Sequence, residues 1–190
     1  MANNVTLPGS GSVVESIDVG GGVERQVVAI GSAGFVSKVA LTRSTSTSSY
    51  SDGDVVGSST SATAALTFAS LGSSAGGEYQ ITSAALMVED SSIISNETSY
   101  TLHLYSATPP SSSVDNAAWD IPSGDRSTYL GYIYLGAPVD IGSSLYVQTD
   151  SIIKQVTLSS SSLFGYLVSN TGYVPTSSRV YDVTLHSVAV

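Results

Sequence analysis

Short alternations of apolar and polar residues recur along the chain, separated by clusters of glycine, serine, proline and asparagine. A strand with one buried face alternates with a period of two, whereas an amphipathic helix repeats its apolar positions every three to four residues. No window of a dozen residues keeps the helical spacing without a glycine or a run of serines. The pattern predicts eight to ten short strands and almost no helix.

The clearest strand lies near the C-terminus. Tyr181, Val183 and Leu185 fall on one face, and the residues between them fall on the other. The other predicted strands are residues 26–30, 36–41, 64–68, a run that ends at 89, 101–105, 129–135, 145–149, 156–158 and 163–168. Alternation also predicts which side chains share a face. In the aromatic strand 129–135, it places Leu130, Tyr132 and Tyr134 together. In the run that ends at residue 89, the apolar side chains of equal parity are Tyr79, Ile81, Ala85 and Met87.

Many short strands separated by turn residues are typical of an antiparallel sandwich or barrel, whereas a parallel sheet needs helical crossovers. The predicted fold class is an all-β antiparallel β-sandwich. It is jelly-roll-like, because the strand count is near eight and some connections are long. An immunoglobulin-like sandwich is the alternative, although the usual Cys–Trp–Cys pattern is absent.

Charge narrows the range of partners. The 190-residue chain has a formal net charge of −9, and only 11% of its residues are charged. Phosphate contacts require lysine and arginine, so the composition argues against nucleic acid as a partner, and likewise against an anionic membrane surface. Residues 1–43 carry three basic and three acidic side chains, so the whole net charge lies in the rest of the chain.

This asymmetry, together with three consecutive glycines at 20–22, predicts an extended N-terminal arm over residues 1–22 and a β-sandwich body over residues 23–190. The arm is either a frayed terminus or a segment that becomes ordered on a partner surface. In the second case its apolar residues would make the contact: Val5, Leu7, Pro8, Val13 and Val14.

The search for chemistry yields no catalytic, cofactor-binding or metal-binding residues. Without cysteine there is no thiol nucleophile and no zinc–thiolate site. His103 and His186 could form a metal pair only if their strands adjoin, and two surface histidines are the simpler interpretation. The Asp52-Gly53-Asp54 segment lacks the rest of a calcium loop and is predicted to be a turn.

Nucleophilic and glycosidic chemistry have little support either. No Gly-x-Ser-x-Gly elbow supports a serine nucleophile. The carboxylate pairs Glu89/Asp90 and Asp120/Asp125, which could suggest glycoside hydrolysis, stand in turn-like contexts. Trp119, the single tryptophan, is either an exposed ring that stacks on sugars or a core residue at the start of a strand.

Seven stretches resemble the virion structural proteins of tailed bacteriophages and cyanophages, in particular those that decorate or cement the capsid. They are VTLPGSG at 5–11, GDVVG at 53–57, LTF at 66–68, HLYSATPP at 103–110, DNAAW at 115–119, DR at 125–126 leading to YLGYI at 129–133, and GYVPTSS at 172–178. They occur in the family's order and span most of the chain. The family pattern usually has a smaller aromatic residue where Trp119 stands.

The resemblance implies a non-enzymatic decoration protein on the capsid exterior, made in the host cytoplasm, with no cofactor and no small-molecule substrate. Its expected partners are the major capsid protein and further copies of itself. Because capsids offer local three-fold positions, a homotrimer is the expected oligomer. The alternative is a tail-fibre, baseplate or other receptor- or glycan-binding virion module.

Overall fold

The computed structural model describes residues 34–73 and 75–190 in full and, nearer the N-terminus, only the backbone of four short strands. These are β1 (Val5–Thr6), β2 (Val13–Val14), β3 (Ser16–Asp18) and β4 (Glu24–Gln26). β1 pairs antiparallel with β2, and β3 pairs antiparallel with β4. The chain divides into two compact units, Met1–Ser32 and Ala33–Val190. The predicted boundary after Gly22 and most of the predicted strand 26–30 lie outside the described residues, so both stay predictions.

The described residues of the second unit form eleven strands. They are β5 (Gly34–Thr42), β6 (Val55–Val56), β7 (Leu66–Phe68), β8 (Glu78–Val88), β9 (Tyr100–Tyr105), β10 (Tyr129–Leu135), β11 (Val139–Asp140), β12 (Leu145–Thr149), β13 (Lys154–Thr157), β14 (Leu163–Ser169) and β15 (Val180–Ala189). The described residues contain no helix, and therefore none long and apolar enough to cross a membrane.

The strands form two antiparallel sheets. The five-stranded sheet has the order β10-β9-β14-β6, with β7 also paired to β14. The six-stranded sheet has the order β11-β12-β8-β15-β5, with β13 paired to β8 beside β12. These sheets confirm the prediction of an all-β antiparallel β-sandwich.

One apolar core lies between the two sheets. Leu86 and Val183 project into it from the six-stranded sheet, and Leu102 and Leu167 project from the five-stranded sheet. All four side chains are fully buried. Along β15 the alternation holds as predicted, because Tyr181, Val183 and Leu185 are buried while their neighbours are only partly buried. Removal of this apolar surface from water is the main stabilising contribution to a sandwich of this kind.

The predicted face of β10 is wrong at one position. Leu130 packs against the core, whereas Tyr132 and Tyr134 point to solvent. The register with β9 shifts between Tyr129 and Gly131, so one residue of β10 is left unpaired. Gly131 has a φ of +94°, which side chains with a Cβ rarely adopt. This β-bulge reverses the alternation, which sequence parity by itself cannot show.

A second bulge interrupts β8. Tyr79 and Ile81 are buried, but beyond them the buried residues are Ala84, Leu86 and Val88, which have the opposite parity. Opposite this point, His186 pairs with Ser83 and Ser187 pairs with Ile81, so Thr82 is the extra residue. The residues predicted to share one face of this run, Tyr79, Ile81, Ala85 and Met87, therefore lie on two different faces. Ala85 is only half-buried, and Met87 is exposed on the outer face.

A long connection, residues 106–128, crosses the outer face of the five-stranded sheet. The N–H of Val55 donates to the carbonyl of Ala117 at 2.9 Å, and the N–H of Trp119 donates to the carbonyl of Gly53 at 2.9 Å. Beneath this connection lies a second, smaller apolar cluster. Its buried members are Val55, Ala64, Tyr105, Tyr166 and Val168.

Two arginines are buried inside the body. Arg43 donates through Nε to the Tyr50 hydroxyl at 2.6 Å, and its Nη2 lies 3.3 Å from Asp115 Oδ2. Asp115 Oδ1 accepts from the Tyr50 hydroxyl at 2.6 Å and from the N–H of Gly57 at 2.9 Å. Burial and the bond to Asp115 raise the pKa of Tyr50 above its ordinary value. Asp115 belongs to the long connection, and Arg43 directly follows β5. This ion pair therefore ties the connection to the end of β5 in the six-stranded sheet.

The second arginine closes a hydrogen-bonded ring. Nη2 of Arg179 lies 2.9 Å from Glu97 Oε2, and its Nη1 lies 3.5 Å from the Tyr181 hydroxyl. The hydroxyls of Tyr181 and Tyr173 are 2.9 Å apart, as are those of Tyr173 and Tyr100, and Tyr100 donates to Glu97. A guanidinium only donates and a carboxylate only accepts, so every bond in the ring points from Arg179 towards Glu97. Burial raises the pKa of all three tyrosines, so they keep the protons that the ring requires.

Candidate functional site

The most distinctive surface of the body is an aromatic groove on the outer face of the five-stranded sheet. Its lining residues lie on β9 and β10 and directly beside the ends of β9 and β14, and these three strands are neighbours in this sheet. The groove is open to solvent and has a volume of about 470 Å³. We refer to it below as the aromatic groove, and its lining residues are Ser99, Thr101, His103, Tyr132, Tyr134 and Asn170.

Two tyrosines form one wall of the groove. Tyr132 pairs with His103 and Tyr134 pairs with Thr101 across the β10–β9 ladder. Tyr132 is 61% exposed and Tyr134 is 55% exposed. The bulge at Gly131 is the reason that both rings face outwards, because it moves Leu130 to the core side. Thr149 Oγ1 donates to the carbonyl of Tyr134 at 2.9 Å, which connects this edge strand to β12 of the other sheet.

Polar side chains form the opposite wall. Thr101 Oγ1 donates to Asn170 Oδ1 at 2.9 Å, and Asn170 Nδ2 donates to Ser99 Oγ at 3.1 Å. These bonds fix the orientation of the Asn170 amide. An amide nitrogen carries two hydrogens, so one of them is not used by the bond to Ser99. The amide is therefore a pre-oriented polar group at the end of the groove.

His103 lies at the base of the groove beneath Trp119. The two rings stack with centroids 3.5 Å apart and planes 19° from parallel. Nδ1 of His103 is hydrogen-bonded to the Tyr129 hydroxyl at 2.9 Å. Burial lowers the pKa of His103 from its ordinary 6.5 to about 4, so the ring is neutral at pH 7. The expectation of a surface histidine at this position is wrong, since His103 is only 7% exposed.

Trp119 is a half-buried residue that packs on the smaller apolar cluster. It is neither a core tryptophan at the start of a strand nor a free ring. The neighbouring Tyr105 hydroxyl is also shielded from water. Burial raises the pKa of Tyr105 to about 12, and the nearby Trp119 N–H acts in the opposite direction.

The structure separates the two histidines that the sequence singled out. His103 lies on the outer face of the five-stranded sheet. His186 lies on the outer face of the six-stranded sheet, in a shallow depression of about 130 Å³ beside Lys38 and Asp182. They therefore do not form a metal pair. Within the described part of the chain, no group of three or more histidine, aspartate or glutamate side chains could hold a metal ion.

Two of the carboxylates considered for glycoside hydrolysis, Asp90 and Asp125, and Asp54 of the calcium-like segment have structural partners. Asp90 lies 3.2 Å from Nε of Arg179, and Asp125 accepts from the N–H of Ser111 at 3.1 Å. Asp54 accepts from the N–H of Ser51 within the turn predicted around Gly53. Each of these carboxylates holds a connection in place, and none lines the aromatic groove.

The structure describes the five residues predicted to bind a capsid only in part. Leu7 and Pro8 are outside the described residues. Val5, Val13 and Val14 are described only as backbone, in the ladder where Val5 pairs with Val14 and Thr6 pairs with Val13. The structure of the body does not test the prediction that these residues contact a capsid.

Comparison with known proteins gives little further information. No family model matches the chain, and no curated protein matches it. Similar solved structures include the infectious bursal disease virus Gt strain, with 10% identity and a TM-score of 0.22, and the Gx strain, with 12% identity and a TM-score of 0.22. The VP2 subviral particle of the same virus has 11% identity and a TM-score of 0.21.

The matches to these three structures cover 97% of this chain, which spans about half the length of each matched chain, between 49% and 50%. Likeness at this level establishes neither a shared fold nor a shared function.

Proposed function

We propose that this chain is a non-enzymatic virion structural protein that decorates the outer surface of a phage capsid. It would bind the major capsid protein, form a homotrimer at local three-fold positions and reinforce the shell. The observation that carries the proposal is the series of seven stretches that resemble the decoration family, in the family's order and along most of the chain.

The chemistry of the body is compatible with a reinforcing role. Its buried ion pairs fix long connections to the sheets, as Asp115 does through Arg43. Its charged residues are few and its surface carries many serines and threonines, which suits protein contacts that tolerate trapped water. Two of the carboxylates considered for hydrolysis, Asp90 and Asp125, are engaged in structural contacts, which favours a binding role over an enzymatic one.

In this proposal the N-terminal residues contact the shell. Val5 pairs with Val14 and Thr6 pairs with Val13 in the β1–β2 ladder, so three of the proposed contact residues belong to one pair of strands. Residues 5–14, which include β1 and β2, contain no charged side chain, whereas the body is acidic. The segment could therefore lie on a capsid protein without the repulsion that the acidic body would meet on an acidic surface.

The test is co-sedimentation with capsids that lack this protein. Full-length protein should sediment with the capsids, and a variant lacking residues 1–22 should stay in the supernatant while its circular dichroism remains that of a folded β protein. Val14→Asp should weaken binding. The matched control is Val174→Asp, which places the same charge at an exposed position of the body and should bind normally.

Unchanged binding of the truncated variant would contradict a capsid-binding arm, and its unfolding would mean that the arm belongs to the core. Light scattering tests the oligomer separately, since a monomer at working concentrations would contradict the trimer.

A tail-fibre, baseplate or receptor-binding module is the second candidate. The aromatic groove favours it, because a concave surface with aromatic and oriented polar groups is typical of a ligand site. A protein that sediments with purified tails and not with capsids would support this candidate over the first.

A further inference from the structure

The aromatic groove has features that neither the proposed capsid contact nor the stability of the body explains. Tyr132 and Tyr134 project from an edge strand and remain more than half exposed, although the chain buries seven other tyrosines in the body. Large apolar rings exposed side by side in a concave site commonly mark a place where another molecule binds.

We propose that the aromatic groove is a binding site for a neutral saccharide. The proposal goes beyond capsid decoration and does not depend on it, since it rests only on the groove. The sugar rings would lie against the exposed faces of Tyr132 and Tyr134. Their hydroxyls would exchange hydrogen bonds with the Asn170 amide and its partner Thr101.

The two walls of the groove match the two kinds of surface on a sugar. A pyranose presents C–H groups on its faces and hydroxyls around its edge. The aromatic wall offers rings with a negative face, which attract the C–H groups and lose little conformational entropy on binding. The polar wall offers an amide already held by bonds to Thr101 and Ser99, so its reorganisation on binding is small.

The charge of the groove selects neutral ligands. None of its lining residues is lysine, arginine, aspartate or glutamate. His103, the single titratable base among them, is neutral at pH 7 because burial depresses its pKa. An anionic ligand such as a phosphate or an acidic glycan would find no cation there and would approach a chain of net charge −9. A cationic ligand would find no carboxylate within the groove.

The size of the groove also suits a short saccharide. A volume of about 470 Å³ falls within the range of small-molecule sites. The groove is shallow and widely open to solvent, so a longer glycan could extend beyond the residues that contact it. A small site of this kind is expected to bind one end of a glycan weakly. The overall affinity would rise when several copies of the protein bind the same glycan surface together.

Trp119 provides an internal reporter. It is the single tryptophan in the chain, and its ring stacks on His103 at the base of the groove. The test is a fluorescence titration of the full-length protein with the neutral trisaccharides of glucose, galactose, mannose and N-acetylglucosamine. We expect at least one of them to change the tryptophan emission saturably. A sialylated trisaccharide is the acidic comparison and should bind more weakly.

Variants separate the groove from the rest of the surface. Tyr132→Ala and Tyr134→Ala should each weaken binding by about tenfold, which is what loss of one aromatic contact implies. The matched control is Tyr146→Ala, on the outer face of the six-stranded sheet, which should bind like the unmodified protein. Circular dichroism of each variant shows whether the fold is retained.

Three outcomes would overturn the proposal: no response to any of the four neutral sugars, tighter binding of the sialylated sugar, or equal losses in the Tyr146 control. A change of oligomeric state in Tyr132→Ala, measured by light scattering, would instead assign the groove to a contact between copies. Capsid co-sedimentation of Tyr132→Ala should be normal, so a failure here is distinct from a failure of the proposed function.

Discussion

The backbone N–H of Arg43 donates to the carbonyl of Arg179 at 2.9 Å, so the two fully buried arginines are direct hydrogen-bonded neighbours. Each is 2% exposed, and each has a carboxylate partner from a loop, Asp115 for Arg43 and Glu97 for Arg179. Loops that contribute no strand to either sheet are thus tied to β5 and β15 by charge. This arrangement makes the buried charges the first place to test the stability of the body.

Replacing Arg179 with alanine should destabilise the protein by about 3–5 kcal/mol, because it leaves Glu97 buried without its charge partner. The measurement is the free energy of unfolding in urea. Lys38→Ala is the matched control, because it breaks an ion pair with Asp182 in which the lysine side chain is 56% exposed. It should cost less than about 1 kcal/mol. Equal losses in the two variants would contradict the structural role given to the buried ring.

Tyr173→Phe tests the hydrogen-bonded ring itself. It removes the central hydroxyl while keeping the aromatic volume, so Tyr181 loses its acceptor and Tyr100 loses its donor. The expected loss is about 1–3 kcal/mol in the free energy of unfolding. Tyr132→Phe removes an exposed hydroxyl and should change stability by less than about 0.5 kcal/mol. If Tyr173→Phe proved as mild as Tyr132→Phe, the ring would not contribute to stability.

Gly165 lies in the middle of β14, where a Cβ atom would stand 2.7 Å from the backbone carbonyl oxygen of His103. Neither backbone can move without breaking the ladder, so Gly165→Ala should destabilise the body by about 1–3 kcal/mol. Gly124→Ala is the control, since nothing lies within 4 Å of its Cβ position. Thermal unfolding of both variants is the measurement, and an unchanged midpoint for Gly165→Ala would contradict the close approach of β9 and β14.

His103 should make stability depend on pH. Its pKa is about 4 in the folded protein and near 6.5 when unfolded, so between these values the unfolded chain binds a proton that the folded chain does not. Stability should therefore fall as the pH drops from about 6.5 to about 4, by about 3 kcal/mol in total from this residue.

The check is the free energy of unfolding at pH 7 and pH 4.5 in His103→Phe, which keeps a ring beneath Trp119 and cannot titrate. This variant should lose stability at pH 7 by about 1 kcal/mol, through the missing bond to Tyr129, and should show a flatter pH profile. His186→Phe is the control and should keep the full pH dependence. A profile unchanged in His103→Phe would show that other groups cause the acid sensitivity.

Much of the β-structure could be predicted from local alternation. The strand at 129–135 has the predicted bounds, and Tyr181, Val183 and Leu185 share the predicted buried face. Alternation is a property of each strand alone, so it can be recognised without knowledge of the partners. Assignment of faces failed where a bulge adds one residue, at Leu130 and beyond Ile81. A bulge depends on the register with a neighbouring strand, which the sequence of one strand does not contain.

The candidate site was less accessible to sequence analysis. Trp119 could be recognised as a group able to stack on sugars, but the rings that lie beside it could not. Trp119 reaches His103 only because the long connection folds back over the sheet. A Tyr-x-Tyr pair in a strand is the one local signal for the groove, and it becomes meaningful only once the bulge turns both rings outwards.

The sequence by itself determined the all-β class, the low charge, the acidic balance and the absence of cysteine chemistry, because these follow from composition and from short-range periodicity. Tertiary structure alone decided the partners of its charges and rings. Arg43 meets Asp115 and Arg179 meets Glu97 across separations of more than seventy residues, and burial sets the protonation of His103. Such pairings depend on how two sheets and their connections pack, and desolvation acts only after that packing is complete.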